Sequence, residues 1–198
     1  LSNSAQTSPD RFPPILPSAL NDAQRSLYNA VAGPPRAGGP FRITDDDGCL
    51  SGPFNPLLYA PSVGQAVQAL GSALRFGGSL PARTRELVIC AVAAALDSAY
   101  EWYAHSRVAL TVGIEEDELT ALRAGRTPTG LSDNENAALS LTRELVAEAG
   151  ISDSAFAAAR KNLDHTTITE LTVLVGYYRT LAGLLAVADV PAPADHAP

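Results

Sequence analysis

The run LVICAVAAAL at 87–96 is apolar on every side when wound as a helix, and nothing else in the chain restricts the fold as much. A helix with one polar face can lie on a surface. One that is apolar all round must be enclosed, at the centre of a bundle or in a subunit interface. Ser79-Leu80-Pro81 opens the helix, since proline is tolerated in a first turn where its missing N–H costs nothing. The rest of the chain has to supply apolar faces on several sides of this segment.

Such faces recur at helical spacing. A first helix fits 18–32, with Leu20, Leu27, Tyr28 and Val31 in phase and Gly33 as its stop. A second covers 61–76, with Val63, Val67, Leu70 and Leu74 aligned, and ends at Gly77-Gly78. After the central segment, helices are predicted over 99–112, closed by Gly113, and over 115–124, stopped by Gly125. Ser132-x-x-Glu135 announces a run to Ala149, Ser152 a run to about Leu163, and Thr167-x-x-Glu170 a run to about Ala188. The last is rich in Thr and Val, yet Leu171, Leu174, Val175, Tyr178, Leu181 and Leu185 hold helical phase for too long to form a strand. The expectation is an all-α, single-domain bundle of about seven to eight helices over 18–189. An extended arm at 1–17 and a disordered tail at 190–198 flank it.

Residues 33–56 are rich in Gly and Pro, and a loop of that length inside a compact domain is usually functional or disordered. Its Asp45-Asp46-Asp47 triplet lacks the spaced ligands of a calcium loop and reads as a solvated acidic turn. The net charge of −7 and a pI near 4.9 argue against a nucleic-acid binder, which needs clustered Lys and Arg to neutralise phosphates. The sequence shows no uninterrupted apolar stretch of membrane-spanning length, and LSNSAQTSPDRFPPI has neither a basic start nor an apolar signal core. A soluble, cytoplasmic protein with no membrane partner is expected. Cys49 and Cys90 form no C-x-x-C pair, and Cys90 reads as a small core residue.

Ionisable groups gather in one place. Ser98, Glu101 and His105 are spaced three and four apart, which puts them on one stripe of a helix, and Glu86 lies on the preceding helix. If the two helices form an antiparallel hairpin, Glu86 can face that stripe. Trp102 and Tyr103 lie among these groups, and Arg83 and Arg85 occupy the first turn of the helix before. Ser98-x-x-Glu101 also matches a capping box, whose side chains satisfy backbone N–H groups and do no chemistry. The two roles are compatible, because a helix N-terminus carries positive potential. Glu101 and His105 at i and i+4 offer two metal ligands with only Glu86 as a third, so no metal and no cofactor is expected. Arg83 and Arg85 either grip a substrate carboxylate or pair with acidic residues.

The segments GPFNPLLYAPSVGQAVQALGSALRF at 52–76, RTRELVICAVAA at 83–94 and YEWYAHSRVALTVGI at 100–114, with the helix ending in LRAG, resemble the carboxymuconolactone decarboxylase family of the alkylhydroperoxidase D-like superfamily. The resemblance is good over about 52–125 and loose elsewhere. It implies small all-α subunits that assemble as dimers, trimers or hexamers. The superfamily's peroxidase branch uses a Glu, a C-x-x-C pair and a His around a redox dithiol. Here Glu86 and His105 keep the outer positions, but Ser98 and Glu101 stand where the sulfurs would be. Without a thiolate there is no sulfenic acid and no disulfide, so dithiol peroxidase chemistry is unavailable.

The resemblance then implies the decarboxylase branch, which removes carbon dioxide from an unsaturated lactone acid without a cofactor. In that reading His105 is the proton donor or shuttle, and Glu101 or Glu86 sets its tautomer and basicity. Arg83 or Arg85 orients the acid, and Ser98, Trp102 and Tyr103 line the substrate site. Two alternatives stay open: another proton-transfer enzyme, such as an isomerase, dehydratase or cyclase using the same pocket, and a non-catalytic oligomeric binding protein.

Overall fold

The structure, a computed structural model, describes residues 10–147 and 150–193. Among these residues are nine α-helices: α1 Asp22–Ala32, α2 Phe54–Leu57, α3 Pro61–Ser72, α4 Ala82–Ala95, α5 Ala99–Thr111, α6 Glu116–Arg123, α7 Asp133–Ala147, α8 Asp153–Ala159 and α9 His165–Ala188. No strand ladder forms among them; the one extended pairing is an isolated bridge between Thr44 and Leu50. The all-α expectation holds, with one short helix, α2, inside the Gly/Pro-rich segment where none was predicted.

Helix α4 is the axis of the bundle and packs against α5, α6, α7 and α9. Val88, Ile89 and Val92 meet Leu171, Leu174, Val175 and Tyr178 of α9 in one core cluster. Leu87 and Cys90 meet Ala109, Ile114, Leu122 and Leu139 in another. Leu87, Val88, Ile89 and Cys90 are fully buried within the single chain. Of the two settings open to an all-round apolar helix, this one takes the bundle centre. Each such aliphatic side chain contributes about 1.5–3 kcal/mol relative to exposure.

Two close approaches set the site's walls. Helices α4 and α5 form a tight hairpin, turning at Asp97 in the left-handed region (φ 46°), and this brings the start of α4 beside the middle of α5. On the other side, a Cβ on Gly71 would lie 2.1 Å from the Tyr177 hydroxyl, so any larger residue there has to displace the Tyr177 ring. Directly after, α3 loosens into a π turn, Ala73–Gly77, which carries Arg75. Single π turns are rare and gather at functional sites.

Several predicted caps form and others do not. Ser132 and Glu135 exchange the reciprocal bonds of a capping box, and Ser152 caps α8, which stops at Ala159 rather than near Leu163. Helix α9 is capped by Asp164, whose carboxylate accepts from the Thr167 N–H, and not by Thr167 itself. Glu170 instead accepts from Ser79 and Leu80, anchoring the entry to α4. The first helix is shorter than predicted and begins with an Asn21/Gln24 capping box.

Although Glu170 and Arg179 interrupt it, α9 is long and apolar enough to cross a membrane by length and composition, with mean hydropathy 1.5 over its best window. Its Leu171, Leu174, Leu181 and Leu185 face are buried in the bundle, as in a core helix. Part of the N-terminal arm lies within the described residues and is docked. Asn55 donates to the Phe12 and Pro13 carbonyls, and Arg11 donates to Ala186 and Val187 at the end of α9. The rest of the arm, 1–9, and the end of the predicted disordered tail, 194–198, lie outside the described residues.

Candidate active site

The hairpin sets three ionisable side chains edge to edge. Glu86 of α4 places Oε2 2.7 Å from His105 Nδ1, and Glu101 of α5 places Oε2 3.5 Å from His105 Nε2. All three residues are at most 4% exposed. The carboxylates bracket opposite nitrogens of one ring and do not converge on a point. No group of three His, Cys, Asp or Glu suited to hold a metal occurs among the described residues. The imidazole is fixed from a third side by Tyr178 of α9, edge-on at 4.9 Å between ring centroids.

Two carboxyl groups beside one imidazole have been pushed apart. Burial drives both upward, but at Glu86 the His105 ring, Arg75 and Arg85 outweigh it and leave its carboxyl below the usual range. At Glu101 burial wins over His105 and Arg75, and the negative Glu86 adds to it, so this carboxyl is raised. Glu86 is thus the anion that holds the ring and Glu101 the acid that keeps its proton to higher pH. Such a split is how a pocket assigns acid and base roles at neutral pH.

Glu101 and His105 line a small cavity of about 30 Å³, which Glu86 does not reach. Arg36 and Arg75 form its cationic wall, and Phe41, Tyr100, Tyr177 and Tyr178 its aromatic one. Arg36 is buried and fixed by Gln68, donating from Nη1 to the side-chain oxygen at 2.6 Å and from Nη2 to the backbone carbonyl at 3.0 Å. Burial lowers the Arg36 pKa, and burial lifts the Tyr177 hydroxyl to about 12 despite that guanidinium. The Arg75 Nε is enclosed and has no hydrogen-bond partner among the described residues.

The residues predicted from sequence divide. Glu86, Glu101 and His105 come together as expected. Arg83 does not line the cavity; its guanidinium is held by Glu118 at 2.5 Å and Glu135 at 2.9 Å and donates to the Gly113 carbonyl, the acid-pairing alternative. Arg85 also stays off the cavity wall, with Nε 3.5 Å from Glu86 Oε1. Trp102 packs against the Leu87 and Cys90 core cluster under the Arg123 guanidinium, and the Tyr103 ring is covered by Arg107 at 3.9 Å. Ser98 precedes α5 at its N-cap position without a side-chain cap bond, its Oγ buried and unpartnered, so the capping box is not formed and Glu101 is free to turn to His105.

Sequence reasoning missed Arg36, Arg75, Phe41, Tyr177 and Tyr178. Arg75 sits in an otherwise apolar helical run just before Gly77-Gly78, which was a signal. Arg36 and Phe41 lie in the long Gly/Pro segment expected to be functional. Tyr178 was legible only as a core position, and Tyr177 carried no signal. Both cysteines are buried and unpaired, and burial raises their thiols, so neither is a poised thiolate.

A family model for the carboxymuconolactone decarboxylase family matches residues 61–144. Solved structures share the fold. An alkylhydroperoxidase AhpD core, an uncharacterised peroxidase-related protein from Ralstonia eutropha, aligns with TM-score 0.76 at 16% identity over 94% of this chain and 93% of that one. The debrominase Bmp8 aligns with TM-score 0.70 at 14% identity over 93% and 92%. A protein of unknown function from Agrobacterium tumefaciens aligns with TM-score 0.64 at 20% identity over 70% and 96%. At these identities the likeness carries the fold alone. No curated protein matches the chain in sequence.

Proposed function

We propose, from the carboxymuconolactone decarboxylase family segment matched at 61–144 and the fold shared with AhpD-like structures, a cofactor-independent carboxy-lyase acting on a small unsaturated lactone carboxylic acid. The observation that carries the reading is the buried His105 ring between a lowered Glu86 and a raised Glu101, beside a cavity walled by Arg36 and Arg75 that has to widen from its 30 Å³ to admit a lactone.

In this reading the C–C bond to the substrate carboxylate breaks and its electron pair passes into the conjugated lactone carbonyl. Carbon dioxide leaves, and the dienolate carbon takes one proton. Protonated Glu101 passes its proton to His105 Nε2 and the ring delivers it to that carbon; general acid catalysis of this kind contributes about 10²–10⁴-fold. Glu86 is a positioning residue: ionised, it accepts from Nδ1–H and fixes the tautomer. Arg36 and Arg75, not Arg83 and Arg85, supply the positive potential that draws an anionic substrate. The dithiol alternative has no residues to run on, since Ser98 and Glu101 occupy its sulfur positions.

Carbon dioxide release from a panel of five-membered unsaturated lactone acids tests the proposal. Release faster than in buffer supports it. Conversion of the lactone without gas evolution would replace it by an isomerase or cyclase, and no conversion across the panel would leave a binding protein. A homo-oligomer is part of the same proposal, and a sedimentation mass equal to one subunit would remove that part.

A further inference from the structure

Three buried side-chain polar atoms lack a hydrogen-bond partner among the described residues: Arg75 Nε, Tyr100 Oη and Ser98 Oγ. Buried donors are almost always satisfied, and an exception calls for a reason, a catalytic role among them. Arg75 and Tyr100 line the same cavity as Glu101 and His105, whereas Ser98 does not. They also come from independent elements, the π turn after α3 and the first turn of α5. Tyr100 is tightly placed, whereas Arg75 is half-buried and stacks over Phe76. Tyr100 is 4% exposed and packs its ring on Gly52, where an added Cβ would lie 2.3 Å away.

Both orphan groups are donors. Arg75 is a guanidinium, and burial beside Glu101 pushes the Tyr100 hydroxyl up, so it keeps its proton. Fixed donors pay most in catalysis where negative charge develops during the reaction. In a decarboxylation that place is the carbonyl oxygen, because the leaving carboxylate gives its charge up. A cation gripping the leaving carboxylate would stabilise the ground state and slow the step. Arg36 is different, because its guanidinium is already bonded to Gln68 and can offer only background charge.

We propose that Arg75 Nε and Tyr100 Oη together receive the oxyanion that forms on the substrate carbonyl, and that the site consequently enolises unsaturated lactones bearing no carboxyl group. This rests on the proton-transfer reading above and extends it to a second activity. The step balances without a co-reactant. Neutral His105 takes a proton from the carbon next to the carbonyl, the C–H pair moves into the ring to give a 2-oxyfuran anion held by the two donors, and His105 returns the proton to the same or the vinylogous carbon. The outcome is hydrogen exchange with solvent and migration of the double bond.

The test uses the full chain with α-angelica lactone (5-methyl-2(3H)-furanone) in deuterium oxide, followed by proton NMR for deuterium uptake and for the conjugated isomer. His105→Gln, Arg75→Gln, Arg75→Lys and Tyr100→Phe are compared with the parent, each checked for an unchanged melting profile. The proposal expects exchange above the buffer rate in the parent. It expects about 10²–10³-fold loss in Arg75→Gln and a smaller loss in Tyr100→Phe, falling on kcat rather than KM. Exchange at parental kcat in both variants overturns it. So does a parent that releases carbon dioxide from lactone acids yet exchanges nothing here, an outcome that leaves the carboxy-lyase standing. Absence of both activities removes both.

Discussion

At Glu101 and Glu86 the same chemistry, a carboxyl buried beside His105, has opposite consequences for stability. Glu86 is lowered on folding, so its contribution is present above the unfolded carboxylate value of about 4.3 and is lost as pH falls through the folded value. Glu101 is raised, so its contribution is full below about 4.3 and is lost as pH climbs through its folded value. Thermal melts of Glu101→Gln should therefore run above the parent at pH 7 and converge with it near pH 4. Glu86→Gln should run below the parent at pH 7, with the gap closing in acid. Each kcal/mol moves the melting point by about 2–4 °C for a chain this long. Parallel shifts of both variants at all pH values would contradict the assigned directions.

Arg83 shows how an element can borrow residues that sequence reading gives to a site. It ties α4 to α6 through Glu118 and to α7 through Glu135. Arg83→Met should destabilise the chain by about 1–3 kcal/mol, because hydrogen bonds to charged partners in a partly buried network are lost, and should leave kcat unaltered. A denaturant titration and a rate assay check the two halves; a lower kcat with full stability would return Arg83 to the site. Gly71→Ala should cost about 1–3 kcal/mol by overpacking against Tyr177, and a neutral melt would deny that contact. The helices and the Glu86, Glu101 and His105 trio were legible because 3.6-residue periodicity and i, i+4 spacing are local. Arg36, Arg75 and Tyr177 were not, because they meet only through the α3–α9 approach and the path of a loop. Glu170 misled for the same reason: it satisfies N–H groups ninety-one positions away in sequence, at Ser79, not those of its own helix.

The molecule as a whole is acidic, at −7, while two arginines, the buried Arg36 and the half-buried Arg75, face its cavity. An anionic substrate must cross a repulsive outer field before it meets them. The Debye length shrinks from about 30 Å at 0.01 M salt to about 8 Å at 0.15 M. Raising salt over that range should increase kcat/KM about twofold through KM, with kcat flat; a fall would place attractive charge at the entrance instead.

The bundle exists, on this account, to hold one imidazole between two unlike carboxyls, and the pH dependence of turnover tests that most directly. With a lactone acid that the parent decarboxylates, turnover should fall on the alkaline side as Glu101, whose carboxyl burial raises, gives up the proton it feeds to His105. His105→Gln should lose about 10²–10⁴-fold and with it that limb. An unchanged rate and an unchanged profile in His105→Gln would contradict the account.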